Sequence, residues 1–129
     1  QPPEIVGPES ASFTLVGFGS TWGVIVEAIE KLACEDDIIG NQLHIKWIVP
    51  FHADVVLSIL SQVKSVIVVE NNYSGQFARY LRSETGFTAN GYIRKYDGEP
   101  FMPHHICDGV KLILSGETDL YVPIHEMAV

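Results

Sequence analysis

The residues best equipped for recognition chemistry form one short run, Glu70-Asn71-Asn72-Tyr73-Ser74-Gly75-Gln76, directly after the apolar stretch Val66-Ile67-Val68-Val69. A carboxylate, amides, a phenol and a hydroxyl sit side by side there, so donors and acceptors of every kind are within reach of one partner. Partial burial of Glu70 at the end of an apolar strand would raise its pKa and let it carry a proton; a hydrogen-bonded carboxylate that holds the turn or faces another domain is the plainer role. Asn71 and Asn72 suit a turn, because Asn side chains mimic backbone hydrogen bonds and tolerate left-handed conformations. Tyr96-Asp97-Gly98 supplies a second polar turn after a β-favouring run. Tyr73, Gln76, Tyr96 and Phe101 are the residue kinds that suit a semi-polar interface.

Other chemistry is poorly supported. Gly17-x-Gly19-x-x-x-Gly23 departs by one residue from the dinucleotide fingerprint, and no strand-end acid follows at the expected distance, so tight-turn packing is the reading. Asn71-Asn72 has no Gly-Asp-Gly before it, as a thiamin diphosphate motif would require. Ser20 and Ser74 lack the G-x-S-x-G elbow and read as helix caps, with Gly19-Ser20-Thr21 offering hydroxyls to the first helix. His44, His52, His104, His105 and His125 show no ligand spacing. Cys34 and Cys107, the two cysteines, are far apart and indicate neither a disulfide framework nor a cluster or zinc site.

The elements that position these residues alternate. Phe13–Phe18 reads as a strand, followed by a helix with Val24, Ile25, Ala28, Ile29, Leu32 and Ala33 on one side and a Glu27/Lys31 pair opposite. After a polar break from Glu35 to Asn41, Leu43–Val49 returns to strand character. Val55, Val56, Ile59, Leu60 and Val63 mark a second helix. Four β-branched residues, Val66 to Val69, describe a strand covered on both faces. A third helix carries Phe77, Ala78 and Leu81 and stops at Gly86; Gly91–Tyr96 is a strand whose Arg94 and Lys95 suggest an edge. Pro103 opens a fourth helix along Ile106, Val110, Ile113 and Leu114, weakened by Gly109 and closed by Gly116. The fold class is therefore α/β, a mainly parallel sheet with helices on both faces and right-handed crossovers.

Size and charge bound the rest. A chain of 129 residues with 47% apolar content supports one domain, and a formal charge of -8 disfavours nucleic acid and anionic membranes as partners. No apolar run nears the roughly 20 residues that span a bilayer, and no secretory signal pattern opens the chain, so the cytoplasm is the expected location. Residues 1–11, with Pro2, Pro3 and Pro8, look like an interdomain linker; 12–116 form the domain, and 117–129 a tail that wraps it or meets a neighbour.

Gly17-Phe18-Gly19-Ser20-Thr21, Pro50-Phe51, the Glu-Asn-Asn-x-Ser-Gly-Gln turn with Phe77-Ala78-Arg79-Tyr80-Leu81-Arg82, and Lys95-Tyr96-Asp97-Gly98 through Pro103 together carry a resemblance. From about Phe13 to Leu114 the chain resembles the C-terminal domain of 2-oxoacid:ferredoxin oxidoreductase alpha subunits, of the transketolase C-terminal group. That resemblance implies a three-layer α/β/α structure with a mixed five-stranded sheet, the fifth strand coming from the lead or the tail. It also implies a complete enzyme that converts a 2-oxoacid to an acyl-coenzyme A and passes electrons to ferredoxin. Thiamin diphosphate, Mg, iron–sulfur clusters and coenzyme A would serve it outside this chain, which carries no catalytic, cofactor or metal residue of its own. The implied partners are the remaining alpha-subunit domains and the beta subunit, with ferredoxin indirectly. The domain would be a scaffold and docking surface, with Glu70, Asn71, Asn72, Tyr73, Ser74, Gly75, Gln76, Tyr96, Asp97 and Gly98 as contact candidates. Two alternatives stay open: the C-terminal domain of another thiamin-dependent enzyme, such as a 2-oxoacid dehydrogenase beta subunit, or a free-standing small-ligand-binding α/β module.

Overall fold

Runs of β-branched residues separated by amphipathic helices build a six-stranded mixed sheet. The structure, a computed structural model, describes residues 4–18, 21–45, 53–70, 76–95 and 101–123. In chain order these give β1 (Ile5–Val6), β2 (Phe13–Phe18), α1 (Trp22–Asp36), β3 (Gly40–Ile45), α2 (Ala53–Leu60), β4 (Val66–Glu70), α3 (Gln76–Thr85), β5 (Gly91–Arg94), α4 (Pro103–Leu114) and β6 (Leu120–Tyr121). The strands lie side by side in the order β1-β3-β2-β4-β5-β6. β1 is antiparallel to β3, and every other pairing is parallel.

Period-2 alternation divides the core into two layers. Phe13, Leu15, Ile67, Val69 and Ile93 face α1 and α4, meeting Ile25, Ala28 and Leu32 from one helix and Ile106, Val110 and Ile113 from the other. Val16, Leu43, Ile45, Val66 and Val68 face the opposite way, onto Val56 and Leu60 of α2 and Leu81 of α3. The three layers expected of the chain are thus present.

Several expectations need correction. Among the described residues the sheet has six strands, because the lead and the tail each contribute one. β5 is consequently internal: β6 lies beside it, Tyr92 N–H donates to Asp119 O at 2.8 Å, and Lys95 is buried. β3 begins at Gly40, inside the stretch expected as a polar break. Its Asn41 and Gln42 are buried instead of solvated. Gly40 is required there, since a Cβ would land inside the Phe13 ring. Lys31 pairs with Glu35, at 3.5 Å, one turn beyond the pairing expected. Thr21 stands at the N-cap of α1 but makes no side-chain cap hydrogen bond. Its Oγ1 is turned toward Gly17, where an added Cβ would lie 2.6 Å away.

Not all crossovers share one hand. The steps β3–α2–β4 and β4–α3–β5 move across the sheet in one direction with their helices on one face, and β2–α1–β3 moves back with its helix on the other, so those three agree. β5–α4–β6 moves forward again, yet α4 lies on the α1 face. Its hand is opposite to the rest, an arrangement seen in only about 2% of such units. The cause is burial: α1 covers one half of its face, and Ile67, Val69 and Ile93 would be exposed unless α4 covered the other. Two glycines allow the close approach, because a Cβ on Gly91 would strike Ile113 and one on Gly109 would strike both Ile93 and Tyr121.

Candidate functional site

Parallel strands bring their carboxyl ends to a common edge, where α/β domains usually place their sites. Here β2 ends at Phe18, β3 at Ile45, β4 at Glu70 and β5 at Arg94, and the connections that follow all leave from that edge. Glu70 is 6% exposed and is the register partner of Arg94 on β5. By alternation both side chains lie on the α2/α3 side, and the Arg94 guanidinium carbon sits 4.9 Å from the centroid of the Tyr92 ring, a cation–π arrangement. Arg94 Nε is buried without a hydrogen-bond partner among the described residues. Glu70 O accepts the Lys95 N–H at 3.3 Å, which carries the β4–β5 ladder to its last residue. An acid and a base, Glu70 and Arg94, therefore end neighbouring strands on one face of the sheet, while Lys95, buried as well, follows on the other.

The contact candidates divide accordingly. Glu70 closes β4 and Gln76 opens α3. Asn71, Asn72, Tyr73, Ser74 and Gly75, together with Tyr96, Asp97 and Gly98, lie outside the described residues.

The α1/α4 side of this edge carries groups that motif reading missed. Trp22 opens α1 and meets His44 of β3 edge-on, with ring centroids 5.2 Å apart and planes at 78°. Met102 caps α4, and its N–H donates to Nδ1 of His105 at 3.0 Å, while the His104 and His105 rings lie 4.3 Å apart. Helical spacing puts Trp22 at the margin of the apolar stripe, three residues before Ile25 and seven before Ile29, so the sequence gives no sign that it is exposed.

The thiols do not fit the metal clusters that the resemblance implies for a complete enzyme. Cys34 is exposed on α1. Cys107 is buried on α4, with its Sγ donating to Ala28 O at 3.5 Å and burial pushing its pKa up, which opposes the thiolate a cluster needs. Among the described residues no group of three or more His, Cys, Asp or Glu side chains is arranged to hold a metal ion. Nor is any described helix long and apolar enough to cross a membrane.

Residues 11–106 match the family model described as pyruvate:ferredoxin oxidoreductase core domain II. The chain belongs to that family. Among relatives of core domain II, the alpha subunit of 2-oxoacid:ferredoxin oxidoreductase 1 from Aeropyrum pernix is 36% identical over 118 residues, covering 90% of this chain and 18% of the relative. The solved structure of 2-oxoglutarate:ferredoxin oxidoreductase from Magnetococcus marinus superimposes with a TM-score of 0.78 at 28% identity, covering 88% of this chain and 20% of that one. The alpha chain of a probable 2-oxoacid ferredoxin oxidoreductase from Thermoplasma acidophilum does so with a TM-score of 0.62 at 34% identity, covering 88% of this chain and 97% of that one. The chain thus corresponds to a core domain II of alpha subunits and spans under a fifth of the length of the first relatives it matches.

Proposed function

We propose that this domain is the scaffold and docking unit of a 2-oxoacid:ferredoxin oxidoreductase alpha subunit, with the carboxyl edge of its sheet as the docking side. The observation that carries the reading is the buried Glu70, register partner of Arg94 at the carboxyl ends of β4 and β5. Buried charges stabilise little by themselves but impose one geometry on whatever meets them. The complete enzyme would oxidise a 2-oxoacid to an acyl-coenzyme A and reduce ferredoxin. Thiamin diphosphate, Mg, iron–sulfur clusters and coenzyme A would be held by the other alpha-subunit domains and the beta subunit, in the cytoplasm. Here the turn residues Asn71, Asn72, Tyr73, Ser74, Gly75 and Gln76, with Tyr96, Asp97 and Gly98, meet a neighbouring domain.

The test uses the native polypeptide. An intact mass several times 14.3 kDa, co-purifying with a brown partner and with 2-oxoacid-dependent ferredoxin reduction, is the expected result; a colourless free chain of that small mass sinks the reading. In the assembled enzyme, Glu70→Gln removes a charge while keeping shape. It should weaken subunit or domain association by about tenfold or more while far-ultraviolet circular dichroism stays unchanged. Unaltered association would remove Glu70 from the docking surface.

A further inference from the structure

At the carboxyl edge, the starts of α1 and α4 each leave a large apolar side chain in water: Trp22 is 40% exposed and Met102 is 51% exposed. They stand at one height. The Cys107 Sγ to Ala28 O contact fixes α4 beside α1, and the two helices run the same way from the same edge. Stepping back six residues from Ala28 reaches Trp22, and five from Cys107 reaches Met102, similar rises at about 1.5 Å per residue. Packed helix axes lie about 8–10 Å apart, so the two helix starts stand on one edge of the domain. The Trp22 ring also meets His44 of β3 edge-on.

The chain path bears on what covers this edge. β1 runs antiparallel to its neighbour, so it starts at the carboxyl edge; β6 runs parallel, so it finishes there. Polypeptide that precedes β1 or follows β6 therefore attaches at the edge where Trp22 and Met102 emerge. In the Aeropyrum pernix alpha subunit the matched region is 18% of the length, so most of that polypeptide lies outside it.

We infer that Trp22 and Met102 are anchors for an apolar-centred surface of the flanking polypeptide of the same alpha subunit, extending the docking edge from the Glu70 turn onto the α1/α4 side. This rests on the reading of the chain as one domain of a longer subunit. Exposed tryptophan is the side chain most often found at the energetic centre of such contacts, and a rigid ring loses little entropy on docking.

The experiment uses the complete alpha subunit in its native assembly. Thiols introduced by Met102→Cys and, separately, Trp22→Cys are compared with Gln62→Cys, an exposed position on the opposite edge, by maleimide labelling read at peptide resolution. The edge thiols should react at least about tenfold more slowly than the control, and a benzoyl-phenylalanine placed at position 102 should cross-link to the same polypeptide outside residues 1–129. Labelling at the control rate overturns the inference, as does a cross-link solely to another subunit or a second copy. Because Trp22→Cys could impair folding, the position 102 variants decide by themselves. Intact mass separates the two claims: a long subunit with reactive edge thiols defeats this inference alone, whereas a free 14.3 kDa chain defeats the reading beneath it.

Discussion

Thr14 Oγ1 donates a 2.5 Å hydrogen bond to Oδ1 of Asn41 between two neighbouring parallel strands, in a part of the sheet where both residues are closed to water. Asn41 Nδ2 in turn donates to Pro8 O at 2.8 Å, so one amide ties the lead of the chain to β2 and β3. Removing one partner leaves the other desolvated and unpaired, which costs about 1–3 kcal/mol. Thr14→Val should therefore lower the urea midpoint of the 129-residue chain by that equivalent, whereas Thr14→Ser, which keeps the hydroxyl, should lower it much less. Equal midpoints for the two variants would show that the hydroxyl contributes nothing.

Glycines at two helical positions predict opposite outcomes for the same substitution. Gly23, in the first turn of α1, has nothing within 4 Å of an added Cβ, so Gly23→Ala should stabilise by roughly 0.5–1 kcal/mol through helix propensity. At Gly109 the same gain meets Ile93 at 2.8 Å and Tyr121 at 2.9 Å, and overpacking of about 1–3 kcal/mol exceeds it. Gly109→Ala should destabilise, with the loss of hydrogen-exchange protection concentrated in β5 and β6.

The two thiols should separate cleanly in labelling. Cys34 is exposed and reacts in the folded chain; Cys107 is buried, hydrogen-bonded to Ala28 O and raised in pKa first by desolvation, so it reacts only on opening. A raised pKa means that the folded state holds its proton more tightly. Its contribution to stability is complete below the ordinary thiol value of 9.0 and fades as pH rises past it toward the folded value. Cys107→Ala should remove this part of the alkaline loss in a urea titration between neutral pH and strongly alkaline pH. An unchanged alkaline slope would contradict the assignment.

The start of α4 offers a further test. His105 Nδ1 accepts the Met102 N–H that would otherwise be an orphan donor at the helix start. His105→Ala should cost about 0.5–2 kcal/mol, and His105→Gln, a residue able to reach back from the third helical position, should recover much of it. Amide exchange at Met102 reads the cap directly.

Long periodic segments were legible and short ones were not. Phe13–Phe18, the β-branched run of β4, the helix opened by Pro103 and the stop at Gly86, whose φ is 74°, all follow from local chemistry that the fold leaves undisturbed. β1 and β6 escaped because two residues carry no period, and their strand character comes only from the neighbour they pair with. β5 looked like an edge because Arg94 and Lys95 are charged; β6 covers it, and Lys95 is buried all the same. β3 was shifted because Asn41 reads as a loop residue until Thr14 and Pro8 are seen to satisfy it. The position of Glu70 at the end of a buried strand was legible from the apolar run before it, while the exposure of Trp22 and Met102 was not, because nothing local shows that two helices start side by side.

The positions of β1 and β6 at opposite margins of the sheet also set a length. Five inter-strand steps of about 4.8 Å hold the point where the chain enters and the point where it departs roughly 24 Å apart, and a hydrogen-bonded sheet packed on both sides yields little to tension or compression. Neighbouring modules joined at those two points would be kept at a fixed separation, so a displacement of one would be transmitted to the other as through a strut, and not absorbed as it would be by a flexible tether.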